Sequence, residues 1–455
     1  MTTPVRSSTG RDEPVGAARL EPGAIWRNWG RSETAHPAFV ARPTTVDEVV
    51  AVVRAARDRG LTVKAVGAGH SFTAIAATDG VLVDLAGLDG LLAVDEPLRR
   101  VTLGAGTNLY QLPALLAPFG LALENMGDID RQTIAGATST GTHGTGADFR
   151  GLAAQITGAV LVTGDGTVLH VNGERNPELL PAVRLGLGAL GILVELTIQC
   201  VPAFLLHAVE RPEGFDEVLD GFTARAKEVD HFEFYWWPHT DRVMTKRNTR
   251  LPGDAPRHPV SAFGNFVEER VMSNGALALM CRVGHAAPSL TPKINRLATR
   301  VYGDREYTDH SHEVFTAPRR VRFREMEYAI PRRAVPEAVR AVRALIEKND
   351  WRISFPVEVR VAAADDNWLS TAQGRKSGYI AVHRHVSDDH LPYFREVEAV
   401  MRDFDGRPHW GKIHFQDAAS LAPRYEHFDD FLAVRNRLDP ERVFANPYLE
   451  RVLGS

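Results

Sequence analysis

Apolar and polar positions divide the chain into two textures. From residue 36 to about 205, short apolar runs alternate with glycine-rich turns. Val46, Val49, Val50, Val53 and Ala56 recur at helical spacing, which predicts a helix ended by Gly60. Thr45-Val46-Asp47-Glu48 gives its start capping-box spacing. Segments 61–66, 80–85 and 100–103 read as strands. Gly104 to Asn108 opens a second helix carrying Leu109, Leu112, Leu115 and Leu116. Segments 158–162 and 167–171 flank Gly164-Asp165-Gly166 as a hairpin, and 193–201 is a strand closed by Pro202. Beyond residue 205 glycine thins, and aromatic and charged residues rise. Strands are expected at 232–237, 325–331, 356–361 and 378–385, and helices at 260–271, 335–348, 391–404 and 428–438. Segment 246–256, with its charges and prolines, reads as a loop.

These elements predict an α+β architecture in two domains. Residues 1–35 are expected to be a tail, 36–205 the first domain and 206–415 the second, an antiparallel sheet with helices on one side. Residues 416–455 are expected to return to the first domain.

Composition narrows the classes of function. The 455-residue chain carries a net charge of -4, so nothing points to nucleic acid. No apolar run approaches the ~20 residues of a membrane span. Cys200 and Cys281 stand far apart and read as buried free thiols, and neither spacing suggests a metal site. A cytoplasmic location is expected, with loose membrane association left open.

Candidate chemistry begins at Val66-Gly67-Ala68-Gly69-His70-Ser71, directly after a strand. Two glycines one residue apart let backbone N–H groups converge on an anion such as a pyrophosphate. A dinucleotide fingerprint of the Rossmann type needs a third glycine where Phe72 stands, which disfavours that fold. A second stretch, residues 132–146, is dense in small and hydroxyl side chains and suits packing against something flat. Glu358 and Arg360 sit two apart on a strand and share one face, as do His383 and His385.

Four motifs, in order along the chain, resemble the sugar-lactone and alditol oxidase branch of the vanillyl-alcohol-oxidase flavoprotein superfamily. They are Gly67-Ala68-Gly69-His70-Ser71, Ile134-Ala135-Gly136 through Thr142-His143-Gly144-Thr145-Gly146, Glu358-Val359-Arg360, and His409-Trp410-Gly411-Lys412. Within that branch the chain resembles actinobacterial gulonolactone dehydrogenases. The resemblance implies the two-domain FAD-linked oxidase fold, with an FAD-binding domain and a cap. It implies FAD, joined covalently to His70. Val66 to Ser71, Gly136, Ser139, Thr140, Gly141, Thr142, His143, Gly146 and Ile192 would hold the cofactor, with His143 expected to be structural. Glu358 and Arg360 would bind substrate hydroxyls, Lys412 would activate the reacting one, and His383 would contact it. The implied substrate is an L-gulono-, D-arabinono- or L-galactono-1,4-lactone. Electrons would pass to a cytochrome c-like protein, a quinone or O2. A small residue among Ala135, Gly136 and Ala137 would gate oxygen. The same residues also serve a xylitol or sorbitol oxidase that makes hydrogen peroxide. A flavin-binding protein without turnover is the reading from a different class.

Overall fold

The computed structural model describes residues 19–261, 275–301 and 303–454. The first domain contains two sheets. In the smaller, Val63–Val66 runs parallel to Val81–Asp84, which runs parallel to Phe39–Ala41, and Glu21–Pro22 closes the edge. The larger is antiparallel, with Val168–Asn172, Ile156–Val162, Ile192–Gln199, Arg100–Gly104 and Leu91–Asp95 as neighbours in that order. The first helix spans Val46–Arg57 and buries Val49, Val52, Val53 and Ala56. Its Thr45 hydroxyl accepts the Glu48 N–H at 3.2 Å, as the spacing predicted. Glu48 itself reaches Thr44 rather than Thr45, so only half of the capping box forms.

The second domain is an eight-stranded antiparallel sheet. Its neighbours run 305–310, 204–214, 242–252, 231–236, 357–362, 377–385, 323–331 and 407–408. Strand alternation gives it two different faces. Val357, Val359, Val361, Ile380 and Val382 pack beneath helices Val335–Lys348 and Leu391–Asp403 in one apolar cluster. Glu358, Arg360 and His383 therefore point the other way, toward the first domain.

The last forty residues pack on the first domain. Phe428, Phe431, Phe444, Tyr448 and Leu449 belong to the same apolar cluster as Val49, Val53 and Val83. Asn446 Nδ2 donates to the carbonyls of Ala74, Ile75 and Ala77. Cys200 and Cys281 are buried and free. Among the described residues, no helix is long and apolar enough to cross a membrane.

Three expectations need correction. Residues 19–35 are not a loose tail. Trp29 N–H donates to Gly69 O, Asn28 Nδ2 to Ser71 O and the Ser32 hydroxyl to Phe72 O, each at 2.8 Å, so this segment clamps the glycine loop. It lacks periodicity because its order comes from these contacts. Segment 246–256 is not all loop, since Arg242–Pro252 is a central strand. Its charges mislead because some find partners across the sheet; Arg247, for example, pairs with Glu213 at 2.8 Å. Ile134–Thr140 is a helix. Its Ala, Gly, Thr and Ser residues show no apolar stripe, since most of its surface is buried. The helix expected after Gly104 is shorter and broken, a 3-10 turn followed by Leu112–Leu116. The helix expected at 260–271 falls almost wholly outside the described residues.

Candidate active site

The glycine loop lies at the C-terminal end of strand Val63–Val66. Gly69 has φ +68°, and a Cβ on Gly67 would stand 2.3 Å from Thr133 Oγ1. Both positions therefore require glycine. Among the described residues, the N–H groups of Ala68, Gly69, His70 and Ser71 donate to no protein acceptor. They line a cavity of about 110 Å³ together with Val66 and Gly67 from the loop, and Gly136, Ser139 and Thr140 from the small-residue helix. Free N–H groups, absent side chains and a narrow slot fit a dinucleotide diphosphate. Lys64 closes the floor, donating to Gly188 O at 3.0 Å and Phe444 O at 3.2 Å. Burial, with Arg435 adding, pushes its pKa down to about 7 against the opposing charge of Asp439.

A second cavity of about 590 Å³ opens beside the first, between the domains. His70, Ser71, Gln132 and Thr140 line both. His70 stacks on Trp29 at 5.5 Å. Burial pushes its pKa down to about 4, with the Lys412 and Arg131 charges contributing. The ring is thus a neutral nucleophile at neutral pH. The His409-Trp410-Gly411-Lys412 turn docks on the same loop. Gly411 O accepts the Phe72 N–H at 2.7 Å, and Trp410 O accepts the Thr73 hydroxyl at 3.0 Å. This brings Lys412 to the cavity wall beside His70.

Glu358, Arg360 and His383 line the larger cavity as well. Arg360 is held by Glu358 at 2.5 Å, Glu233 at 2.8 Å and Asp128 at 3.8 Å. Burial raises the Glu358 pKa to about 7; Arg360 opposes the rise, and Asp128 and Glu233 add to it. Burial also penalises the Asp128 carboxylate, but Arg319 and Arg360 outweigh it and hold its pKa below the usual range. Lys412 pairs with Glu325. His383 Nδ1 donates to Pro356 O at 3.0 Å, leaving Nε2 facing Glu325 at 3.6 Å. Burial works against charge on His383, yet Glu325 outweighs it and raises the pKa.

The remaining expected residues fall in two groups. Thr142 and His143 line the larger cavity. His143 stacks on Tyr379 at 3.6 Å, with Nδ1 on Gly144 O at 2.8 Å and Nε2 facing Glu327 at 3.2 Å. Gly141, Gly146 and Ile192 line neither cavity. Gly141 caps the small-residue helix at φ +85°. The Gly146 N–H donates to Val361 O at 2.9 Å and so ties the two domains. Ile192 sits in the core, and its neighbour Gly191 lines the slot instead. Of the three candidate gate residues, Ala135 and Gly136 line the slot and Ala137 does not. His385 is not on the cavity wall.

Sequence reasoning missed Glu325, Glu327, Asp128, Glu233, Tyr235 and Arg319. Glu325 and Glu327 share a strand face two residues apart, the same signal that marked Glu358 and Arg360. Among the described residues, His143, Glu327 and His409 are the one group spaced to hold a metal ion, within 4.8 Å. His409 Nδ1 accepts the Gly411 N–H at 3.0 Å, so its Nε2 carries the ring proton and is a donor rather than a ligand.

Two family models cover most of the chain. An FAD binding domain matches residues 37–172, and D-arabinono-1,4-lactone oxidase matches residues 196–452. L-gulono-1,4-lactone dehydrogenase of Mycobacterium tuberculosis is 44% identical over 94% of this chain and 99% of its own length. L-gulonolactone oxidase of Bos taurus is 34% identical over 94% and 98%, and alditol oxidase of a Streptomyces species is 32% identical over the same shares. Cholesterol oxidase from Brevibacterium sterolicum shares the fold, with a TM-score of 0.81 at 18% identity over 99% of this chain and 100% of that one. The chain thus belongs to the D-arabinono-1,4-lactone oxidase family of FAD-dependent oxidoreductases.

Proposed function

We propose that this protein oxidises a CH–OH group of a sugar-1,4-lactone, with L-gulono-1,4-lactone as the leading substrate, and passes the electrons to an acceptor other than oxygen. The observation that carries the reading is the set Glu358, Arg360, Lys412 and His383 on the wall of one cavity, with His70 on the same wall. The names and identities of the lactone-oxidising relatives support the substrate class.

Bound FAD supplies the hydride acceptor. The chain supplies the rest. Arg360 and Lys412 donate to substrate oxygens and stabilise negative charge as the hydroxyl is deprotonated. Glu358 accepts from a neighbouring hydroxyl. His383 receives the hydroxyl proton at Nε2, because Pro356 O fixes the proton of the neutral ring on Nδ1. Glu325 then faces the resulting imidazolium. His70, as a neutral imidazole on the wall of both cavities, would carry the covalent link to the flavin.

Two experiments test the reading. With one artificial acceptor, L-gulono-, D-arabinono- and L-galactono-1,4-lactone should turn over faster than xylitol or sorbitol. Turnover of polyols alone would assign the alditol reaction instead. Reduced enzyme should reoxidise faster with cytochrome c or a quinone than with air, and rapid reoxidation by air would contradict the acceptor assignment.

The proton path sets a pH dependence. His383 must be neutral to accept the proton, and its pKa lies above the ordinary ~6.5. The rate of flavin reduction should therefore be low below that pKa and rise as pH passes through it. Glu325→Gln removes the charge that holds the imidazolium, so the inflection should move to lower pH. An inflection that stays in place would show that His383 is not the proton acceptor.

A further inference from the structure

The larger cavity runs well beyond the reacting groups. From the strand of His383 to that of Tyr307 it crosses five inter-strand steps, in the order 377–385, 357–362, 231–236, 242–252, 204–214 and 305–310. At about 4.8 Å per step this is about 24 Å. A six-carbon chain has five C–C bonds of about 1.5 Å and reaches less than about 8 Å. An aldonolactone held at Arg360 and Lys412 therefore leaves the outer part of the cavity unfilled.

That outer part has a built floor. Register places Arg305 opposite Glu210, Glu210 opposite Lys246, and Lys246 opposite Glu233. Glu233 in turn binds Arg360 at 2.8 Å. One row of alternating charge thus crosses the sheet from its far edge to the reacting groups. Arg305, Glu210, Lys246 and Arg360 from this row line the cavity. Lys246 Nζ donates to Val314 O at 2.8 Å, and the Tyr307 hydroxyl donates to Glu210 at 3.3 Å. Met244 supplies an apolar wall. Arg305 pairs with Glu210 at 3.8 Å, and Lys246 stands opposite both Glu210 and Glu233, so the floor mixes the two signs of charge. It presents alternating donors and acceptors, which match a ring of hydroxyl groups.

We propose that Glu210, Tyr307, Lys246 and Arg305 form a second, polyhydroxyl-binding subsite that takes a glycosyl unit carried on the distal end of the substrate. The inference rests on the lactone reading above and deepens it: the preferred substrate is a glycosylated sugar lactone rather than the bare ring.

The test compares L-gulono-1,4-lactone with its 6-O-glucosyl derivative in the full-length holoenzyme. The glucosylated lactone should have a kcat/KM at least about tenfold higher, the size of one or two additional polar contacts. Tyr307→Phe and Glu210→Gln should each remove most of that advantage and leave the bare lactone within about twofold. Equal kcat/KM for the two lactones in the wild type would overturn the subsite. So would variants that slow both lactones alike, or variants that alter only reoxidation by a quinone, since the outer cavity would then serve the acceptor. A glucosyl ligand lacking the oxidisable hydroxyl separates the two levels. If it shifts the flavin absorbance and Tyr307→Phe weakens it at least about fivefold, the subsite stands even if no lactone is oxidised. If no lactone or polyol is oxidised, the proposed activity fails on its own. Absence of binding by this ligand overturns the subsite.

Discussion

Replacing His70 with alanine should abolish covalent attachment of the flavin completely. Acid-precipitated wild-type protein should give a yellow pellet, and His70→Ala a colourless pellet beneath a yellow supernatant. The physical basis is local. The ring lies where the two cavities meet, it is stacked on Trp29, and burial with the Lys412 and Arg131 charges keeps it unprotonated. An unprotonated ring nitrogen is what a covalent link to a flavin would require of His70. His70→Ala should still bind FAD, because the N–H groups of the loop do not depend on the side chain. A colourless pellet from the wild type would remove the covalent link and leave the non-covalent site intact.

Lys412→Met should lower the rate of substrate-driven flavin reduction about 10²–10³-fold, the usual cost of removing one donor from a developing oxyanion. It should also destabilise the fold by about 3–5 kcal/mol, because Glu325 loses the cation that compensates its buried charge. The two effects are separable. Adding Glu325→Gln removes the buried anion, so the double variant should recover stability but not rate. Stopped-flow reduction and thermal melting read the two quantities on the same preparations. Recovery of rate in the double variant would mean that Lys412 acts only through the fold.

The parts of this molecule legible in the sequence are those where local chemistry and tertiary role coincide. The helix expected at 335–348 is Val335–Lys348, because its apolar stripe faces a sheet and nothing competes with the periodicity. The glycine loop was legible because a turn that offers free N–H groups to an anion needs glycines in place of side chains. Glu358 and Arg360 were legible as a same-face pair. Their neighbours were not. Glu233, Asp128 and Arg319 reach Arg360 or its partners from other parts of the chain, 127, 232 and 41 residues away, by subtraction of residue numbers. No local pattern encodes such contacts. Lys246 was read as part of a loop for a related reason. A charge-rich segment looks solvent-exposed until cross-strand partners, here Glu210 and Glu233, show that the charges answer one another. Residues 19–35 fail in a third way, since their order comes from clamping the glycine loop and not from any repeat of their own.

In the proposed reaction a flavin at His70 faces a cavity that binds and deprotonates a sugar hydroxyl. Anaerobic mixing of the holoenzyme with L-gulono-1,4-lactone tests this most directly. Absorbance of the oxidised flavin near 450 nm should bleach in a single saturable phase, about 10²–10³-fold slower in Lys412→Met. An absorbance that stays unchanged with every sugar lactone and polyol, in protein that retains bound FAD, would contradict it.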